Sequence, residues 1–478
     1  MSPVLLIARD ELRLMKRNRV AVIAMGLLLL LALAGLASAW SHQRAIADLR
    51  ARHQASAEQA FDTQPDRHPH RVVHYGTFIY RPLPPLAAFD PGVDAFTGNS
   101  MFLEGHRQNT ANLGDVGQSP MLDRYGQLTP AFVPQAVAPL LLIFLGYGVV
   151  ARETERGTLR LLLLQGASRG QIVAGKLLAL GVVALLAGLP AIIGLGLIAT
   201  QLDAPGLPLA VLALGYAAYL ALWAVLIVLV SSRVRRSRNA LLSLVAAWAV
   251  VVVLLPRVAP DIAASVVPLQ NRLQTDVAIA RDLRATGDSH NPDDPHFAAF
   301  KQSVLDRYGV TRLEDLPVNY KGVLALEGER LTTALFDRYA EASYAAQARQ
   351  NGLVQAIGAL SPAITVRSLS MAAAGTDFVG HQRFLEQAEA YRYDLVQRLN
   401  RLQAEDVRYA DDVPADPGAD ERKRVGAENW AHMPDFAYRP PAGADLAARA
   451  LPGLAVLLAW LAGASALLRL QTRRLGGI

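Results

Sequence analysis

The sequence predicts an α-class polytopic membrane protein with six transmembrane helices and two extracytoplasmic domains, the larger of them mainly helical. Three observations carry this: apolar runs of spanning length, basic residues gathered at their flanks, and two long polar stretches between spans. Of the 478 residues, 52% are hydrophobic and 18% charged, and the mean hydropathy is +0.23. That balance is too apolar for an ordinary soluble chain and too polar for one wholly embedded in lipid. The pI near 9.5 raises nucleic acid as a partner. The Lys and Arg residues, however, sit beside apolar runs, which is the distribution of topology control and not of a phosphate-binding face. Nucleic acid is thereby excluded and membrane lipid is the expected surrounding. The chain has no Cys, which removes disulfides and thiolate metal sites.

Residues 1–19 alternate Val4, Leu5, Ile7, Leu12 and Leu14 with Arg9, Arg13, Lys16, Arg17 and Arg19. This is an amphipathic basic helix suited to the cytoplasmic interface. Residues 20–40 form the first span, about the 20 residues that cross roughly 30 Å of hydrocarbon, with Trp40 at the far interface. Ala37-Ser38-Ala39 fits a signal-peptidase site, but the run exceeds a usual signal core of about 7 to 15 residues, so an uncleaved span is expected. Residues 41–130 are polar and rich in Pro and Gly and make the first extracytoplasmic domain. Its start, 41–61, has helical composition, while RPLPPL at 81–86 and DPG at 90–92 are turn and extended punctuation.

The second span, 131–150, is kinked or started by Pro134 and Pro139. After a cytoplasmic segment at 151–176, the third span at 177–200 and the fourth at 209–230 are joined by the Arg-lacking turn QLDAPGLP. SSRVRRSRN at 231–239 places four Arg in a short inner loop before the fifth span, 240–255, which Pro256 ends. The sixth span, 448–468, precedes Arg469, Arg473 and Arg474 in a cytoplasmic tail at 469–478. Both termini inside satisfies the positive-inside rule at every short loop, and a bacterial inner (plasma) membrane is the expected location.

Residues 256–447 are the larger extracytoplasmic domain. Phe384, Ala388, Tyr391, Leu395, Leu399 and Leu402 recur at spacings of three and four, a helical apolar stripe whose other faces hold Glu386, Glu389, Arg392 and Arg398. Leu331, Leu335 and Tyr339 begin a second stripe, and the two helices suit an antiparallel hairpin. The joining residues 360–377 are apolar but broken by Pro362 and Arg367, too short for a seventh span and able to touch the outer leaflet. Residues 411–441 are acidic and Pro-rich and read as a solvated loop.

The chain carries few of the residue patterns that catalysis or metal binding requires. GQIVAGKL at 170–177 matches GxxxxGK, but Leu177 stands where a Ser or Thr must hold Mg²⁺, and no strand precedes it. The chain is therefore not expected to be an enzyme, and ATP hydrolysis falls to another polypeptide. His68, His70 and His74 could ligate a transition metal. Lacking carboxylate or fourth-ligand spacing, they read as an exposed loop, and no metal is predicted. Asp411, Asp412, Asp416 and Asp420 lack the spacing of a calcium loop. The six apolar cores contain no Asp, Glu, Lys, Arg or His, which argues against coupling to an ion gradient. Gly and Ala at 181–196 and 215–221 suit tightly packed or sliding helices.

The segment 152–176 carries Arg152, Arg156, Arg160, Arg169 and Lys176. Its centre, 155–165, reads as a short helix with Arg156 and Arg160 one turn apart beside a leucine run. Such a helix can lie along the membrane and face a soluble partner. From Val133 onward, the Pro-containing span ending LLIFLGYGVV, then RETERGTLRLLL, then SRGQIVAGK, resembles the membrane subunit of type-two ABC exporters, the ABC-2 permease class. Glu153, Glu155, Gly157, Thr158 and Leu159 match that family's coupling helix, and Ser168, Arg169, Gly175 and Lys176 its following turn and Gly-Lys. The basic N-terminus resembles the family's elbow helix. LSPAITVRSLSMAAAGTDFVGHQRF and EAYRYDLVQRLN resemble a bacterial subgroup with a large helical insertion before the last span.

The resemblance implies a homodimer, or a heterodimer with a related permease, paired with two cytoplasmic ABC ATPase subunits. ATP and Mg²⁺ would reside in those subunits, with no cofactor in this chain. It implies export or extraction of a substrate, with the acidic and Arg residues of the coupling segment contacting the ATPase. Two alternatives remain at this level: force transmission to periplasmic partners without transport, and a membrane-anchored binding or sensory protein.

Overall fold

The computed structural model describes residues 2–112, 128–287, 291, 294–413 and 418–474. Asp416 and residues 475–478 of the expected tail lie outside them. Among the described residues six helical stretches are long and apolar enough to cross a membrane, and with almost no sheet the chain is an α-helical polytopic membrane protein.

Helix α1 (Pro3–Arg17) starts at Ser2, whose Oγ accepts from the Leu5 N–H at 3.4 Å. Asn18 ends it and caps α2 (Arg19–Asp62). At 1.5 Å per residue the 44 residues of α2 run about 66 Å, twice the hydrocarbon thickness, so its apolar first half and polar second half form one rod. Then follow α3 (Pro69–Tyr75) and an antiparallel pair, β1 (Thr77–Tyr80) and β2 (Ser100–Leu103). A π turn, Val133–Val137, leads into α4 (Ala138–Gly146). Two short helices, α5 (Ala151–Glu155) and α6 (Thr158–Leu164), precede the long α7 (Arg169–Gln201) and α8 (Gly206–Arg233).

Helix α9 (Ser237–Trp248) passes through a π turn, Ala249–Leu254, into α10 (Leu255–Val266). The expected stop at Pro256 is thus corrected: the helix runs on through it. Leu255 donates to the carbonyl five residues back, and the carbonyl that Pro256 would reach in that pattern, Val251 O, accepts from Ser361 Oγ at 2.8 Å. A hydroxyl from elsewhere in the chain supplies the bond that proline lacks. Around Pro139 the same device recurs, with Tyr219 donating to Gln135 O at 2.8 Å and Trp248 Nε1 to Ala136 O at 3.1 Å. Where no water is available, such side-chain bonds let kinked helices persist.

The remaining helices are α11 (Arg272–Thr286), α12 (Pro295–Tyr308), α13 (Tyr320–Gly358), α14 (Pro362–Ala374), α15 (Phe378–Asp406) and α16 (Gly443–Arg474). The bundle packs round α8, where Leu212, Tyr219, Leu222, Ile227 and Val228 are fully buried. Small residues set the crossings: Gly146 sits against Leu180 and Ile227, and Gly194 against Leu36. Close approach of this kind provides the packing that helix association in lipid relies on.

Helix α14 departs from expectation. Residues 360–377 do not trail along the outside; Val366, Leu369 and Ala373 are buried and the helix packs against α8 and α16. Leu369 fits against Gly215 and Gly453, and Ser370 Oγ accepts from Tyr216 at 3.0 Å. Its Ala and Ser content makes it narrow enough to wedge between spans.

Beyond the bundle, α13 and α15 lie antiparallel, as the pairs Glu329–Arg392 and Ala325–Asn400 show. The stripe on α15 faces two neighbours: Phe384 and Ala388 meet Ile79, Met101 and Leu103 of the β hairpin, while Leu395 and Leu399 meet Phe61, Val72 and Val73. The two extramembrane stretches therefore share cores. Glu389 and Arg392 are buried, not on a solvated face. The acidic stretch is likewise corrected. Asp411 and Asp412 are buried, and Asp412 accepts from Asn319 and Gln403 at 2.9 Å and bonds His68 at 3.1 Å. Burial pushes the Asp412 carboxyl up, but these bonds prevail and hold it below the usual carboxylate range. Trp430, fully buried, donates to Gln64 O at 3.1 Å.

Gly322 marks the tightest point of the hairpin, since an added Cβ would overlap the Ala404 backbone, which cannot swing aside. Gly322→Ala is expected to destabilise the α13–α15 pair by about 1–3 kcal/mol. Limited proteolysis of the purified protein should then cut α13 and α15 faster than in the parent; equal rates would contradict this packing.

Candidate functional site

The segment after α4 is held by its neighbours at several points. Ser231 Oγ of α8 accepts from the Val150 and Ala151 N–H groups, both at 3.1 Å, capping the start of α5. Gly157 (φ 76) and Gly166 (φ 88) take the left-handed conformation on either side of α6, so the chain can turn into and out of it without a Cβ penalty. Ser168 then opens α7 with a reciprocal capping box to Gln171.

The centre of this arrangement is Lys176, two turns into α7 and 4% exposed. Its Nζ donates to Glu11 Oε2 of α1 at 2.6 Å and to Glu153 Oε1 of α5 at 2.8 Å. Thr158 of α6 also bonds Glu153. Beside it, Gly175 has no side chain because α1 passes there: a Cβ would lie 2.8 Å from Ile7 and 2.9 Å from the Val4 carbonyl. The Gly-Lys pair therefore gives α1 both a groove and a charge. Glu155 reaches the other way, its Oε2 accepting from the Ser237 backbone at 3.0 Å and hydroxyl at 2.7 Å, at the start of α9. Arg169 donates to Arg473 O at the end of α16 at 2.9 Å.

Helix α6 itself buries no residue. Leu161 is 58% and Leu164 83% exposed, and Arg156, Gly157 and Arg160 are exposed beside them, while Leu159 and Arg152 are half-buried. The segment thus has an inner set of braces, from Glu153, Glu155, Thr158, Arg169, Gly175 and Lys176, and an outward helix of mixed apolar and basic character. The 170–176 stretch is helical throughout.

Sequence reasoning missed Glu11, Ser231 and Ser237. Glu11 had a signal: it is acidic in a basic helix and shares a face with Ile7 and Met15 at spacings of four. The two serines had none. The histidines are not on an exposed loop. His68 caps α3 and is buried against Asp412, while His70 and His74 lie one turn apart on α3, with His106 from beyond β2 beside them.

Removing Lys176 leaves two carboxylates facing each other in a buried site. Lys176→Met is expected to cost about 3–5 kcal/mol. Adding Glu11→Gln and Glu153→Gln should recover most of that. Thermal unfolding in detergent checks this, and equal stability of the single variant and the parent would contradict the brace.

A family model described as "ABC-2 family transporter protein" matches residues 5–278, which is more than half of the chain. A second, "Domain of unknown function (DUF3526)", matches residues 272–439, from α11 to beyond α15. A comparison with curated proteins found no match. The chain belongs to the ABC-2 transporter family and is a multi-pass membrane protein of the permease type, whose family implies an ATPase partner.

Proposed function

We propose that this chain is the permease subunit that receives energy from a separate cytoplasmic ATPase through α6 and uses it to export or extract a substrate. The observation that carries the proposal is the contrast within residues 151–176. The α6 surface is exposed and mixes apolar with basic residues, yet its base is fastened by Lys176 to α1 and α7 and by Glu155 to α9. A load applied to α6 is shared among several spans at once. The basic residues at 231–239 and at the end of α16 support a cytoplasmic position for this end, in a bacterial inner membrane. In this reading ATP and Mg²⁺ belong to the partner, and the permease works as a homodimer or a heterodimer. The exposed apolar faces of α2, with Leu27 and Leu30, and of α9 and the π turn after it, with Leu242 and Val253, would meet lipid or the second permease.

A second reading, force transmission to partners on the outer side without flux, is favoured by α14. It packs among spans and joins directly to the α13–α15 hairpin, so motion in the bundle reaches the extramembrane part. Vesicle assays separate the two: hairpin movement with ATP but without substrate flux supports the second.

Leu164→Glu and Arg160→Glu change the exposed face of α6. Glu155→Lys changes its anchor. Each is expected to weaken association with the ATPase at least about tenfold, the equivalent of 1.4 kcal/mol, and to abolish stimulation of ATP hydrolysis. Co-purification and hydrolysis unchanged in all three would overturn the proposal.

A further inference from the structure

We propose that His70, His74 and His106 form a binding site for a transition-metal ion of the Zn²⁺ class, with Glu329 as the carboxylate that orients His106. Of these residues the sequence shows only His70 and His74 together, because His106 lies 32 residues beyond His74 and Glu329 comes from the DUF3526 region.

The fold assembles the three imidazoles by two devices. His70 and His74 occupy successive turns of α3, and their Nε2 atoms stand 3.1 Å apart. Tetrahedral Zn²⁺ with Zn–N bonds of 2.0–2.1 Å holds its nitrogens about 3.4 Å apart, so this pair is already near its bite distance. His106 is delivered by a tight turn. Gly105 lies directly against Val73 of α3, donating its N–H to Val73 O at 3.3 Å, and any side chain there would strike Val73. His106 itself takes φ 63, a left-handed conformation that few residues with a side chain adopt. The result is one ligating nitrogen from each residue, all within 4.8 Å of one another.

Glu329 supplies the second, independent observation. It is fully buried, and its Oε2 accepts from the His106 backbone N–H at 3.1 Å and lies 3.2 Å from His106 Nδ1. A carboxylate on one ring nitrogen fixes the tautomer and leaves Nε2 as the metal ligand, the arrangement that accompanies most metal-bound histidines. Arg392, 2.5 Å from Glu329 Oε1 and 2.6 Å from Glu389, holds that carboxylate in place. Three neutral imidazoles without hard oxygen donors suit Zn²⁺, Cu²⁺ or Ni²⁺ over Mg²⁺ or Ca²⁺. His74 is exposed, so the fourth position opens to water. A bound ion would tie α3 to the 104–107 turn and, through Glu329, to α13.

The full chain, purified with a tag free of histidine and stripped with EDTA, is dialysed against ZnCl₂ and assayed for retained metal. One Zn²⁺ per chain is expected, with a rise in melting temperature that MgCl₂ does not produce. Co²⁺ in its place should give the visible absorption of four-coordinate geometry. His74→Ala, at an exposed position, should fold as the parent does by circular dichroism and size exclusion but lose retention. Glu329→Gln should weaken binding by about 10- to 100-fold, as loss of an outer-shell partner does, and His432→Ala should change nothing. Absence of retained Zn²⁺ in the parent overturns the site. So does retention lost in His74→Ala but kept in His106→Ala, which would mark a chelating helix pair alone.

Discussion

At the α6 end of this molecule the meeting of α1, α5 and α7 depends on one ammonium group. Lys176 lies where burial of a charge is costly, and it is tolerable there because two carboxylates from different elements meet it at hydrogen-bond distance. Each partner alone would join only two helices. Together they define a three-way joint: α1 cannot leave α7 without stranding Glu11, and α5 cannot shift without stranding Glu153. A buried ion pair adds little net stability against an apolar alternative, but removing one partner strands a buried charge, so the pair disfavours arrangements in which the three helices separate.

A second constraint governs the spans. The chain accepts proline at Pro139 and Pro256, in helices that have the composition of membrane spans, and the exposed backbone carbonyls have to be met from within the protein. Tyr219, Trp248 and Ser361 do this, each from a different part of the chain. Ser361 also caps α14, so the residue that completes the α9–α10 kink is the one that starts the wedge. The kink and the wedge are therefore coupled through a single hydroxyl.

The six spans were legible because each needs an apolar run of fixed length, a local property that composition reveals. The amphipathic α1 and the stripes on α13 and α15 were legible for the same reason. What escaped is non-local. Pro256 reads as a stop until Ser361 is known to sit beside Val251, and residues 360–377 read as an apolar joining stretch able to touch the outer leaflet until Gly215 and Gly453 are seen to make room for Leu369. Arg392 looks like a solvent-facing arginine on a helix; its burial follows from Glu329, 63 residues earlier. In the candidate site the residue types of the coupling segment were readable, but not their division into an inner brace and an exposed face. That division is set by Glu11 and Ser237, which spacing alone does not connect to Glu153 or Glu155.

The two charged joints, at Lys176 and at Arg392, stand at opposite ends of a continuous series of packed helices. From Lys176 it runs along α7 to α8, across Gly215 to Leu369 of α14, and into α13. Glu329 lies 29 residues before Gly358, the end of α13 next to α14, which is about 44 Å along the helix axis. A rod of that length turns a small rotation into a large displacement: tilting its base by about 5° moves the far end by about 4 Å, most of a helical turn. The Arg392–Glu329–Glu389 cluster makes α13 and α15 share that displacement, and the shared cores with the β hairpin and α3 carry it further. Within the proposed function, the bundle need move little for the extramembrane part to move much.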